Sequence, residues 1–243
     1  MVIHVVTINL KQSDANFLIT PGNPSIKLPL NARTTSQFLD EFNLQLAVNG
    51  DSFRPWHSNS PLDYYPHQGD PVRPTGFAAS RGMIYSNGGD KKPTLFISKN
   101  NQARFNNPVG KVYNAISGNL MLVEKGEIAS RSLSNISDHH NLPDPRTAIG
   151  LDKHNKKMVI VVVDGRQPGY SHGSTLTELA EILIENDIYH GMNLDGGGST
   201  TLVIQNQAGN PEKINSPIDN NIPGRERPIA NHLGIYIRSN REN

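Results

Sequence analysis

Two Asp-Gly turns are the segments of this sequence best suited to chemistry. They are Asp164-Gly165-Arg166, and Asp195-Gly196-Gly197-Gly198-Ser199 followed by Thr200. A carboxylate can stabilise a developing positive charge or take a proton from water. Glycines permit positive φ and close approach by another group, and successive amide N–H groups can form a nest for an anion. Arginine adds a planar fork matched to phosphate. Three consecutive glycines also lose much backbone freedom on folding, so they call for a local reason. In isolation both segments read as turns. Their flanking elements give them weight.

Residues 158–163 (MVIVVV) are apolar without alternation, the pattern of a strand buried on both faces. Residues 175–186 place Leu176, Leu179, Ala180, Leu183 and Ile184 on one helical face. Residues 192–194 form another strand. If both strands join one sheet, the helix is a right-handed crossover between parallel strands. Asp164 and Asp195 then leave the carboxyl ends of neighbouring strands, the edge where such sheets bind ligands.

The rest of the chain supplies mostly strands. Residues 2–10, 16–20 and 44–53 are β-rich, and a capping box from Thr34 to Gln37 starts a helix at 35–43. Residues 54–76 lack periodicity and hold Trp56, Tyr64 and Tyr65; they read as a long functional loop. A hairpin is expected between 77–86 and 93–100, a strand pair in 112–128, a polar loop at 129–145, and a clear hairpin at 146–166. A loop from 225 leads into a final strand ending at 237. The fold class is α+β: one β-rich domain over residues 1–243, with a mixed central sheet, a few helices and the strand–helix–strand crossover.

Composition narrows the function classes. The 243 residues carry a net charge of +1 without a basic patch, so nucleic acid is not an expected partner. No cysteine is present, which excludes disulfides and thiolate zinc sites. No stretch has the length of a membrane span. The start, MVIHVVTINL, reads as a strand and not as a signal peptide. Dinucleotide, Walker, H-E-x-x-H and G-x-S-x-G patterns are lacking. Glu178 fits a capping box with Thr175. His4 and His232 read as structural, His139-His140 as solvated, and His172 as a possible substrate contact. A Ser199 nucleophile served by His232 has no supporting spacing.

Four ordered segments, PRTAIGLD, VVVDGRQPGYSHGSTLTELAEIL, NLDGGGSTTLVI and GRERPIANHLGIYI, resemble the phosphodiester glycosidase family. The resemblance is dense over about residues 115–238 and weaker upstream through LAVNGDSF and GFAASRGMIYS. It implies hydrolysis of the sugar C1–O bond in a sugar-1-phosphodiester, of the N-acetylglucosamine type. The family's Asn-Gly-Gly segment falls on Asn49, Gly50 and Asp51, with Asp51 departing from the usual glycine. Its remaining motifs fall on Arg146, on Asp164 to Arg166, on Asp195 to Thr200, and on Arg227 and Asn231.

The implied chemistry needs cationic donors for a departing phosphate and a carboxylate for the sugar. Arg81, Arg146, Arg166 and Arg227 are the expected phosphate ligands. Asp195 and Asp164 are the first-choice catalytic carboxylates, with Asp51 and Glu226 behind them. Asn49, Gly196, Gly197, Gly198, Ser199, Thr200 and Asn231 complete the expected substrate site. No cofactor is expected; Asp164, Asp195 and Asn193 as a Ca²⁺ or Mg²⁺ site is a lesser alternative. The expected partner is a carbohydrate or sugar phosphate, without membrane insertion, and export follows from the resemblance alone. Rival readings are an ordinary glycoside hydrolase, a non-catalytic carbohydrate-binding protein and a metal-dependent phosphodiesterase.

Overall fold

Seven consecutive residues, Lys157–Val163, form the centre of the largest sheet because their side chains are apolar on both faces. Met158, Ile160 and Val162 enter the main hydrophobic core. Val159, Val161 and Val163 enter a second core beneath the helix Leu176–Glu185, whose Leu179 and Leu183 are fully buried. This is the two-faced burial expected from a run without alternation. The computed structural model describes residues 1–11, 14–60, 63–88, 92–134 and 142–237. His139-His140 and part of the expected turn at 87–89 lie outside them.

The six-stranded sheet has the order Ile3–Asn9, Lys157–Val163, Arg146–Leu151, His190–Asn193, Leu120–Glu124, Glu127–Ile128. All its pairings are antiparallel. The expected mixed sheet is therefore corrected. Lys157–Val163 and His190–Asn193 do run parallel, but Arg146–Leu151 lies between them and pairs with both. The tight hairpin fills the gap that the helical crossover leaves. The consequence for the rim survives, since Asp164 and Asp195 still leave the same edge, and Arg146 begins its strand there.

Beside a smaller three-stranded and a two-stranded sheet stand two five-stranded ones. One is Met83–Asn87, Phe77–Ser80, Asn114–Ser117, Thr94–Ile97 and Ala103–Phe105; the other is Ala15–Ile19, His232–Ile237, Leu46–Asn49, Leu202–Gln205 and Pro211–Lys213. Leu95 and Ile116 from the first, and Val48 and Leu233 from the second, join the main core. The helix Thr35–Glu41 starts with the expected capping box and covers the last sheet with Phe38 and Leu39. Strands outnumber helices throughout, so the fold is β-rich.

Four local expectations fail. Met83–Asn87 folds back on Phe77–Ser80, and Thr94–Ile97 pairs elsewhere. The glycine at 82, with φ +87°, makes a tighter turn possible before Asn87 is reached. The pair expected in 112–128 is split between two sheets at Gly118, where any Cβ would lie 2.4 Å from the Asn193 carbonyl oxygen. The long loop contains Phe53–Arg54, His57–Ser60, Asp63–Tyr65 and Pro71–Pro74, strands too short for periodicity to register. A one-turn helix, Ser130–Leu133, also sits in the segment read as a polar loop.

Candidate active site

The carboxylate at Asp164 is fully engaged. Its Oδ1 accepts from Asn215 Nδ2 at 3.0 Å and Ser216 N–H at 2.9 Å. Its Oδ2 lies 3.0 Å from the donating Tyr170 hydroxyl and 3.1 Å from His4 Nε2. Four partners occupy the four lone-pair directions of a carboxylate. The side chain is buried and ties the first strand and the 215–216 segment to the rim. Its geometry is that of an anchor, unlike the substrate-facing carboxylate expected from sequence. Glu226 is likewise occupied. It accepts from the backbone N–H of Ser36 at 2.9 Å and from the Ser36 hydroxyl, capping the first turn of the Thr35–Glu41 helix.

Asp195 is differently placed. Around its carboxyl stand the Ser199 hydroxyl, the Gly196 N–H, and the Arg227 and Lys92 cations. Burial pushes it above the usual carboxylate range, and those four groups pull against burial. Its own N–H donates to Gly50 O at 3.0 Å. Asn49, fully buried, fixes this loop. Its Nδ2 donates to Asp195 O at 2.8 Å, and its Oδ1 accepts from Thr147 Oγ1 at 2.7 Å and Thr201 N–H at 3.1 Å. Asn231 Oδ1 accepts from Asp51 N–H at 3.0 Å. Two buried oxygens nearby, Asn193 Oδ1 and Thr200 Oγ1, have no hydrogen-bond partner among the described residues.

The triple glycine is where two arginines sit. A Cβ on Gly197 would lie 2.8 Å from Arg166 Nη2, and one on Gly198 would lie 2.4 Å from Arg227 Nη2. Gly197 also has φ +61°. Gly196 would meet Pro145 O at 2.8 Å. Bare backbone here first admits guanidinium groups, and those groups then face outward. Arg166 is held by a bidentate pair, Nε to Asp144 Oδ1 at 2.5 Å and Nη2 to Asp144 Oδ2 at 2.9 Å. Arg227 Nε donates to Asp219 Oδ1 at 2.7 Å, and its guanidinium lies 5.5 Å from the Trp56 ring centre. Among the described residues, Arg166 Nη1 and both Nη atoms of Arg227 carry no hydrogen bond. They are the preorganised donors an anion needs.

Arg146 shares this edge but works from below. Its Nε donates to Ser174 O at 3.2 Å and its Nη2 to Leu142 O at 2.9 Å, bracing the chain before Pro145. Burial lowers its pKa, with Asp144 opposing and Arg166 adding to the effect. Arg81 falls outside the site. It is exposed in the turn after Phe77–Ser80, five residues and about 16 Å along the strand from Gly76, at roughly 3.3 Å per residue. His172 is exposed at the rim, and its carbonyl accepts from Arg166 N–H at 3.3 Å. His232 is structural: it is fully buried, 3.1 Å from Thr20 Oγ1, and stacked on Phe38.

Lys92 is a candidate site residue that sequence reasoning missed. Its Nζ reaches Asp51 Oδ1 at 3.0 Å, Ser52 Oγ at 2.8 Å, Thr75 Oγ1 at 2.5 Å and Asn119 Oδ1 at 3.1 Å. Asp51 Oδ2 accepts from Gly76 N–H at 2.6 Å. Burial raises the Asp51 carboxyl from 3.8 to about 6 against Lys92 and Gly76, with the Asp195 charge adding to the rise. The two carboxylates thus feel one another. A cavity of about 620 Å³ opens beside Lys92 and Asn119, walled by Phe77, Phe96 and Met121. Among the described residues, no cluster of His, Asp and Glu is arranged to hold a metal ion.

A test follows from Asp51. Its folded value lies above its unfolded value, so folding favours the protonated form. That contribution is complete below pH 3.8 and is lost as pH rises through about 6. The difference is about 3 kcal/mol. Asp51→Asn abolishes it and leaves Lys92 its Ser52, Thr75 and Asn119 acceptors. Between pH 4 and pH 7 the melting temperature of the variant should rise by several degrees relative to wild type, by calorimetry. A gap that opens in the opposite direction refutes the assignment.

Fold and rim together define a β-rich protein whose sheet edge carries buried carboxylates beside arginines with unpaired donors, a class suited to anionic ligands. The chain belongs to the phosphodiester glycosidase family, whose model matches residues 42–236. It is similar to N-acetylglucosamine-1-phosphodiester alpha-N-acetylglucosaminidase of Bos taurus, 41% identical over 64 residues, 26% of this chain and 12% of that protein. It is 32% identical to the Homo sapiens protein of that name over 100 residues, 37% of this chain and 19% of the other. The chain therefore spans less than a fifth of either relative. The catalytic domain of the zebrafish protein of that name matches 98% of this chain and 84% of its own, with TM-score 0.67 and 22% identity. A hypothetical protein from Synechocystis matches 97% of this chain and 59% of its own, with TM-score 0.70 and 14% identity. Those two likenesses show the shared fold. No helix among the described residues is long and apolar enough to cross a membrane.

Proposed function

We propose that this protein hydrolyses the sugar C1–O bond of a sugar-1-phosphodiester, within a domain comprising the whole chain. The observation that carries the reading is the seating of Arg166 and Arg227 on Gly197 and Gly198, beside Asp195. In this reading the free Nη groups hold the phosphate, which departs as a phosphomonoester. Asp195 faces the sugar carbon and stabilises its developing positive charge. Asp195 also takes the proton of the attacking water, and Asp51, whose oxygens accept from Lys92, Ser52, Gly76 and Thr75, sets Lys92 in place. The cavity beside Lys92 takes the sugar, and Asn49 and Asn231 hold the two carboxylate loops in place. Asp164, Glu226 and Arg146 act as positioning residues. The substrate class follows the family, with an N-acetylglucosamine-1-phosphodiester as the leading case. Export is part of the same reading, and fractionation of expressing cells checks it.

Product analysis tests the bond broken. In water enriched in ¹⁸O, C–O cleavage labels the free sugar, and P–O cleavage labels the phosphate. A label in the phosphate, or no turnover of any sugar-1-phosphodiester by folded protein, refutes the proposal.

A further inference from the structure

Phe53–Arg54 pairs with Pro71–Pro74 so that Arg54 and Arg73 are directly opposite. Directly opposed residues of an antiparallel pair share a face, and like charges there repel. Both arginines are exposed, and among the described residues neither makes an ion pair or hydrogen bond. Both line one cavity of about 560 Å³, with Leu28, Phe53, Pro55 and Trp56. Its size suits a ligand of one or two sugar rings. Trp56, 48% exposed, is the wall this cavity shares with a smaller one lined by Arg225 and Arg227. The paired arginines are thus one aromatic ring away from the arginine that holds the scissile phosphate.

We propose that this cavity is a second anion site, which takes a phosphate group carried on the aglycone of the substrate. Arg54 and Arg73 hold that phosphate, and Phe53, Pro55 and Trp56 pack against the apolar face of the sugar ring bearing it. The direction follows from the rim. In the glycosidase reading the Lys92 cavity takes the reacting sugar, so the leaving group extends from Arg227 past Trp56. The preferred substrate is then a phosphodiester-linked saccharide with a further phosphate beyond the scissile one. This inference rests on the glycosidase reading for the word aglycone. The anion site itself does not.

Trp56 is the only tryptophan, so intrinsic fluorescence reports on this wall without any turnover. Titration at low salt with glucose 6-phosphate should give a saturable change, and glucose should give none. Arg73→Glu sets an acid opposite Arg54, which removes the repulsion and should melt no lower than wild type. It should weaken glucose 6-phosphate binding by about tenfold or more. If that variant does not fold, Arg73→Gln is read in the same way. With a sugar-1-phosphodiester, kcat/KM should favour a phosphate-bearing aglycone over its neutral counterpart, and Arg73→Glu should erase the preference. Equal response to glucose and glucose 6-phosphate, or unchanged binding in both variants, overturns the proposal. Phosphate-dependent binding without turnover refutes the glycosidase reading and leaves the anion site standing. Turnover without aglycone preference does the reverse.

Discussion

Asp195→Asn is expected to lower kcat/KM on a sugar-1-phosphodiester by about a thousandfold and to leave the melting temperature unchanged or raised. The magnitude is that of a lost carboxylate at a charge-developing carbon. The stability follows from burial: the protein already resists the charge at this position, so a neutral isostere of the same shape relieves it. Asp164→Asn is the control, and its pattern is reversed. Asp164 accepts at all four of its lone-pair directions, from Asn215, Ser216, Tyr170 and the His4 ring. An amide puts a donor where an acceptor is required, at about 1–3 kcal/mol. That variant should melt several degrees lower, with activity following the folded fraction. Kinetics and thermal melts on the pair decide the matter. The assignment fails if Asp195→Asn keeps more than about a tenth of wild-type activity or if Asp164→Asn melts as wild type does.

The second large effect is expected from a single methyl group. Gly198→Ala places a Cβ 2.4 Å from Arg227 Nη2, 2.7 Å from its Cζ and 3.1 Å from Asp219 Oδ1. Something must move, and the guanidinium is the part able to do so. It leaves both its hydrogen bond to Asp219 and its place over Trp56. The expected result is a rise in KM of about tenfold to a hundredfold for a phosphodiester, the scale of one lost charge-assisted contact. Arg227→Ala should give the same loss, and the double variant should be little worse than either single one. That non-additivity separates a seat for the arginine from a loop that merely needs to be flexible. Additive losses would contradict the seating.

The motif residues were legible because they are local. Asp195, the glycines, Arg166 and Arg227 lie in short segments whose composition is unusual. What was not legible depended on distance along the chain. Lys92 lies 41 residues from Asp51, and the residue types around it carry no pattern of their own. Asp144 and Asp219 orient the arginines from 22 and 8 residues away, Asp144 from the polar loop and Asp219 from a stretch without a motif. His4 reaches Asp164 across 160 residues. The glycines were found but misread. Their bareness first admits arginine, and only a three-dimensional neighbour list distinguishes that from access for a ligand. The mixed sheet was misjudged because periodicity reports which faces are buried and not which strand lies between two others.

Asn49 joins Thr147 of one sheet, Thr201 at the start of a strand in another, and the backbone of Asp195 between them. The rim therefore has no rigid element of its own. It is a seam, and its alignment is borrowed from the two sheets that meet there. On warming, such a joint should loosen before either sheet melts. Reversible loss of turnover should then begin several degrees below the unfolding transition, and the upper working temperature would be a property of the seam rather than of the cores.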